Sequence, residues 1–278
     1  MRSVVRRLHL FEFEDLPWFP SWLRDLTTDF LQEALILRHK FYAPVTPVLA
    51  TLIRRTGHRR IVDLCSGASG PWVHLKPDLQ DEVGSVELVF TDKYPNRRAL
   101  RAACERIGDG QTRVAAQPVD ATAVPEAQDG IRTIFTAFHH FSPATARAVL
   151  SDAFARRAPL CVAESSERRW PSLLASLLAP VLVVAHVLRR PTPLRVLCTV
   201  VPVLPLVVTW DGVVSALRTY DTEELAAMTA DLTAPDYHWR IDRIAPVGTA
   251  PPILVLVGEP VTPLRHGVIE AAASAVER

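Results

Sequence analysis

From residue 59 onward the chain repeats one pattern: short apolar runs of strand length, separated by stretches long enough for a helix. The runs fall at 60–64, 87–91, 112–115, 131–137 and 160–163, and helices are expected around 72–79, 95–107, 143–156 and from 170 onward. A strand covered on both faces reads as an unbroken apolar run, and a helix-length crossover returns the chain parallel to the strand before it. Two later runs, "YHWRIDRIAPVG" and "PPILVLVGEP", are joined by a connection too short for a crossover helix, so they are expected to be antiparallel. The pattern therefore predicts an α/β protein with a seven-stranded, mostly parallel sheet that ends in an antiparallel hairpin. No internal repeat, heptad or low-complexity tract competes with it.

Two segments depart from this rhythm. Residues 1–58 read as an amino-terminal helical arm or lid. "FEDLPWFPSWLRDLTTDFLQEAL" sets Leu26, Phe30, Leu31 and Leu35 at helical spacing after the breakers Pro17 and Pro20, and a second helix is expected at 47–55 before Gly57. Within the 59–278 core, residues 171–221 read as a hydrophobic helical insertion on the substrate side. Residues 171–188 carry no formal charge, and neither do 196–210. Pro180, His186, Pro202 and Pro205 interrupt these runs and the second is short for a bilayer, so a buried or cleft-lining insertion is favoured over a transmembrane hairpin. Peripheral contact with a membrane stays open. A helix at 222–232 is expected, with Thr222 as its cap and Glu223 and Glu224 in the first turn.

Charge and cysteine usage exclude several functions. Lys and Arg total 31 against 30 Asp and Glu, a net charge of +1, which supplies no global field for nucleic acid. Cys65, Cys104, Cys161 and Cys198 are dispersed without a CxxC pair, so reduced thiols in a cytoplasmic setting are expected, with no zinc site or disulfide framework. Arg2, Arg6 and Arg7 imitate the basic start of an export signal, but Glu12, Glu14 and Asp15 arrive before any adequate apolar segment. The oligomeric state is not set by these features.

The first apolar run leads into "VDLCSGASG", where Gly67 and Gly70 permit backbone angles or close ligand approach that a side chain obstructs. The carboxyl end of a parallel strand is where ligands gather in such sheets. The second run ends in "FTDKY", whose Asp92 is placed to receive two ribose hydroxyl hydrogen bonds. A nicotinamide cofactor would call for a fuller GxGxxG pattern. With "PVDATAV" after the third run, these segments resemble the class I S-adenosylmethionine-dependent methyltransferases. The resemblance covers about 59–170 and 237–258 and implies a Rossmann-like sheet with S-adenosyl-L-methionine as cofactor. It implies that Asp63 orders the methionine end through the turn, that Asp92 holds the ribose, and that Asp120 beside Ala121 contacts the adenine amino group. Cys65, Ser66, Gly67, Gly70, Lys93 and Phe138 complete the expected cofactor contacts. Cys65 stands where the family's first glycine is usual, and Ser69 where its last would fall.

An acceptor would meet this cofactor beyond the fourth run, in "FTAFHHFSPATARAVL". His139 or His140 is a candidate general base; the alternative is that one supports the loop and the other is a packing residue. Glu164, after the fifth run, may orient the substrate or a histidine, or satisfy backbone donors at a helix start. In "WDGVVSALRTYD", Asp211, Ser215 and Arg218 share a face if the segment is helical, flanked by Trp210 and Tyr220. The bland alternative makes Asp211 a helix cap and pairs Arg218 with Asp221. Together these residues suggest methyl transfer to a small or medium, partly hydrophobic acceptor, lipid-like, quinone-like or a natural product, with oxygen the first choice of atom. A noncatalytic cofactor-binding or scaffold protein and another nucleotide-dependent enzyme are the alternatives.

Overall fold

The computed structural model describes residues 5–33, 40–245 and 252–261. Its helices are α1 (Ser21–Phe30), α2 (Thr46–Thr56), α3 (Trp72–Val83), α4 (Arg97–Ile107), α5 (Pro143–Ala155), α6 (Trp170–Leu177), α7 (Ala179–Arg189), α8 (Pro193–Val200), α9 (Val203–Arg218) and α10 (Thr222–Thr229). Its strands are β1 (Arg60–Asp63), β2 (Glu87–Phe90), β3 (Thr112–Val114), β4 (Ile131–Phe135), β5 (Leu160–Glu164), β6 (Tyr237–Ile244) and β7 (Ile253–Pro260). All seven strands form one sheet in the order β3-β2-β1-β4-β5-β7-β6. The first five are parallel, and β7 lies antiparallel between β5 and β6. The expected α/β architecture, including the terminal antiparallel hairpin, is therefore present. Leu35 and the 246–251 connection lie outside the described residues.

Successive strand residues point to opposite faces, and here both faces are covered. Ile61, Leu88, Phe90 and Ile131 pack beneath α2, α3 and α4 through Leu49, Ile53, Trp72 and Leu100. Val62, Val89, Ile134 and Val162 face the other way, toward Val149 and Leu150 of α5 and Leu225 of α10. This double burial is why the strands read as apolar runs rather than as alternations.

The arm divides between two layers. α2 belongs to the sheet's own core, whereas Phe19, Leu23 and Phe30 pack with Val183, Val187, Leu204 and Val208 of the insertion. Prolines cut the insertion into four short helices: Pro180, Pro193 and Pro202 all lie at helix starts, where the missing N–H has no intrahelical partner to lose. The α6–α7 and α8–α9 pairs bend by 46° and 74°, and no single described helix is long and apolar enough to cross a membrane. Two local expectations are corrected. α10 is capped by Asp221 rather than Thr222, in a reciprocal capping box with Glu224. α3 runs on past 79 to Val83, with Pro77 inside it, and stops at Gly84.

Candidate active site

The carboxyl ends of β1 and β2 are joined through the turn that follows Asp63. Four residues there have left-handed backbone: Cys65 (φ 54°), Gly67 (50°), Ser69 (86°) and Gly70 (48°). Both positions where the sequence lacks an expected glycine thus still adopt the conformation that favours one. Ser66 staples the turn to β2: its N–H donates to the Thr91 carbonyl at 3.0 Å, and its hydroxyl donates to the Asp63 carbonyl at 2.8 Å while accepting the Thr91 N–H. Asp92 accepts the Gly67 N–H at 3.0 Å on one oxygen and the Tyr94 N–H at 2.7 Å on the other. A carboxylate has about four lone-pair directions, so both oxygens retain acceptor capacity for a pair of hydroxyls.

Asp63 is buried and accepts the Thr133 hydroxyl at 2.7 Å. Burial pushes its carboxyl up to about 6. It sits beneath the turn rather than on its surface. Asp120 takes the Lys93 ammonium at 2.7 Å and the Thr122 N–H and hydroxyl at 3.0 and 2.7 Å, and the Lys93 hydrogen bond leads in holding it down at about 2. Ala121 is buried beside it. A contact without a local sequence signature closes this edge from above: Gln32 of the arm donates to the Ser69 hydroxyl at 2.6 Å. The donor set suits an adenosyl cofactor, with the part-exposed Asp92 carboxylate next to an open turn in which a Cβ on Gly67 would meet no atom within 4 Å.

At the ends of β4 and β5 the residues Phe138–His140 form a single 3-10 turn. Glu164 organises it, accepting the N–H groups of Phe138 (2.6 Å) and His139 (3.2 Å) on one oxygen and His139 Nδ1 (2.9 Å) on the other. The donors it satisfies belong to this turn rather than to the next helix. With Nδ1 as donor, a neutral His139 presents Nε2 as an acceptor. That nitrogen is buried and makes no hydrogen bond; it lies 3.8 Å from a Glu12 oxygen that is ion-paired with Arg218. The Phe138 ring turns into the core against Phe141 and Tyr220.

His140 is in a different state, although its ring lies only 4.3 Å from that of His139. Burial acts to lower its affinity for a proton, but the Asp15 hydrogen bond at 2.9 Å and the charges of Glu12 and Asp15 outweigh that and hold it at about 9. His140 is therefore an imidazolium at neutral pH.

The acids come from a strap, residues 7–15, that crosses this edge. Arg7 donates to the carbonyls of His139 (3.3 Å), Phe141 (3.0 Å) and Arg218, and its guanidinium lies 3.9 Å over the Tyr220 ring. Trp210 Nε1 donates to the Phe11 carbonyl at 3.0 Å. Arg218 lies 3.2 Å from Glu12, pairs with Asp15, and donates to the His140 carbonyl at 2.9 Å. The Tyr220 hydroxyl donates to the Phe141 carbonyl at 2.8 Å. Asp211, Ser215 and Arg218 all lie on α9, with Ser215 half-buried. Asp211 is in mid-helix and caps the strap, not α9: it accepts the N–H groups of Phe13 (2.8 Å) and Glu14 (3.4 Å). Asp221 takes Arg168 at 2.8 Å, not Arg218. Burial, with the charge of Asp211, raises Glu14 to about 7, and burial, with the charges of Glu12 and Asp15, raises Asp211 to about 6.

Glu12, His139 and His140 bring three ligand-type atoms within 4.8 Å of one another. The Arg218 guanidinium beside Glu12 opposes a metal cation there, and the imidazole Nδ1 atoms are already held by carboxylates. A cavity of about 390 Å³ lies at the opposite end of the sheet, between His58, Arg60, Glu87 and Gln111. Ligands of open parallel sheets bind at the carboxyl ends of the strands, which places chemistry on the Asp92 and His139 side.

No family profile matches the chain, and neither does any curated protein sequence. Solved structures do. The plantazolicin methyltransferase BpumL in complex with SAH aligns with a TM-score of 0.55 over 89% of this chain and 93% of its own, at 8% identity. The same protein in complex with monoazolic desmethylPZN analog and SAH gives 0.52 over 85% and 89%, again at 8% identity. PigF with SAH gives 0.50 over 86% of this chain and 62% of its own, at 16% identity. With the strand order and the terminal antiparallel β7, these likenesses give the chain the fold of the class I S-adenosylmethionine-dependent methyltransferases.

Proposed function

We propose that the protein is an S-adenosylmethionine-dependent methyltransferase acting on a small or medium, partly hydrophobic acceptor, at oxygen. The observation that carries this is the pairing of two prepared edges: Asp92 clamped to the β1 turn, and His139 held by Glu164 at the ends of β4 and β5. The SAH complexes of BpumL and PigF support the cofactor, and the BpumL complex with a desmethylPZN analog supports a natural-product-like acceptor. In this reading Asp92 holds the ribose, the 65–70 turn receives the methionine end, and Asp120 with Lys93 borders the adenine. The cofactor, when bound, supplies an activated methyl group.

His139 Nε2 takes the acceptor's proton, and Glu164 is a positioning residue that fixes the imidazole tautomer. His140, already charged, is unsuited to be the base. The acceptor reaches His139 when the strap lifts Glu12 away, so the arm acts as a lid. Trp210 and Tyr220 border that entry, and the four free cysteines suit a reducing, cytoplasmic setting. The Glu12 carboxylate over His139 favours one second reading, a cofactor-binding protein without turnover.

One experiment separates the two: calorimetric binding of S-adenosylmethionine combined with a label-transfer screen over phenolic, amine and carboxylate acceptors. Binding with label transfer supports the enzyme, binding without it supports the second reading, and absence of binding to the folded chain overturns both.

A further inference from the structure

We infer that the outer side of α6–α9 docks on the surface of an anionic lipid bilayer. A helix that is apolar all round needs an apolar neighbour on each side. In this layer only one side has one. α7 buries Val183 and Val187 against the arm and α9 buries Leu204 and Val208, while the opposite side of the layer shows Leu178 (60% exposed), Val181, Leu188 (77%) and Val200 (77%) to solvent. Contiguous apolar surface beyond a few hundred Å² is rare on a monomer unless something covers it.

Charge decides what covers it. Between Arg169 and Asp211 the chain contains no acid, and its three charged residues, Arg189, Arg190 and Arg195, are all cations. Arg189 and Arg190 end the exposed helix α7. Arg190 meets Glu33 yet keeps 64% of its side chain exposed, whereas Arg195 is largely buried beside Asp29, so the outward charge rests on Arg189 and Arg190. Two copies apposed through this face would bring arginines together with no acid from the same stretch to neutralise them. Anionic headgroups supply the complementary sign, each basic residue near such a surface contributing about 1 kcal/mol. Exposed Trp170 at the start of α6 adds the residue type that settles at the headgroup level. The helices are short and sharply bent, which suits lying in the interface rather than spanning it. The inference is independent of the reaction, but it places the strap's entry beside a source of lipophilic acceptors.

Co-flotation of the full chain with vesicles tests it. Binding is expected to mixed phosphatidylcholine and phosphatidylglycerol vesicles and to be weaker to phosphatidylcholine alone. Leu178→Glu with Val181→Glu should reduce it at least about tenfold, and Arg189→Gln about fivefold. Leu188→Ser with Val200→Ser provides a second apolar pair should the first fail to fold, as judged by circular dichroism. Failure of the wild type to float with anionic vesicles, or undiminished binding by the folded variants, overturns the inference. So does light scattering that shows a dimer dissociated by the same substitutions without vesicle binding. None of these readouts depends on methyl transfer.

Discussion

The two halves of the active edge are built on opposite plans. At the cofactor half, Asp92, Ser66 and the 65–70 turn are tied to one another by short-range strand-end hydrogen bonds, and Asp92 remains partly open. At the acceptor half, His139, His140 and Glu164 are enclosed by residues distant in sequence: Glu12 and Asp15 from more than a hundred positions earlier, and Arg218 from 78 positions beyond His140. The lesson is a division of labour. In the proposed function the sheet prepares a site for the cofactor, and the strap and insertion decide what else is admitted.

The largest effect should fall on the acceptor half. His139→Gln is expected to lower turnover about 100-fold to 10,000-fold while leaving S-adenosylmethionine affinity unchanged, as followed by label transfer and calorimetry. Unchanged turnover would break the comparison at its chemical end. Asp92→Ala sharpens it from the other side: loss of two charge-assisted hydrogen bonds, worth about 1.5–3 kcal/mol each, should weaken cofactor binding about 100-fold or more.

The strap offers a third test, through pH. His140 sits at about 9 against an ordinary 6.5, so its contribution to docking is full below 6.5 and is lost as pH rises through 9. Glu14 at about 7 and Asp211 at about 6 are raised carboxyls, and their contributions are likewise lost on the alkaline side. The strap should therefore loosen as pH rises, through about 4 to 7 with Asp211 and Glu14 and through about 6.5 to 9 with His140, seen as falling protection of the Leu8 and Phe13 amides after their intrinsic base-catalysed exchange is divided out; their partners are the Leu217 carbonyl and Asp211. Asp15→Asn should bring His140 down from about 9 toward its ordinary value in an NMR titration. An imidazole still near 9 in that variant would remove Asp15 as the main cause.

The smallest effect concerns Cys65. Its left-handed backbone suggests that Cys65→Gly gains up to about 1 kcal/mol, after the entropic cost of glycine is set against relief of strain. A urea titration would register this as a raised midpoint, and Cys65→Ala, which keeps a Cβ, should gain nothing.

The contrast between the halves is also a contrast in legibility. β1, β2, β4 and β5 could be read because each is a largely apolar run covered on both faces, whereas β3, Thr112–Val114 at the sheet edge, is only partly buried; Asp63, Asp92 and Asp120 could be read because they stand at or beyond the carboxyl ends of β1, β2 and β3. The strap could not, since Glu12 meets His139 and Arg7 meets Tyr220 across distances in sequence that leave no local period. Its one trace is the acid-rich "FEFED" that follows the basic and apolar opening. Asp211 shows the same limit. Its helical spacing with Ser215 and Arg218 was readable, but its carboxylate serves Phe13 and Glu14, residues from the other end of the arm. Asp221, one residue before the expected cap, took that role because Glu224 completes the reciprocal pair three positions on.

The backbone bond from Leu8 to Leu217 has a consequence for the order in which the molecule is made. Leu8 is synthesised before the sheet, yet its docking partner on α9 is made only after β5 and most of the apolar insertion. During translation the parallel strands can begin to assemble while the strap waits, and its closure, like the insertion of β7 beside β5, belongs to the late steps of folding.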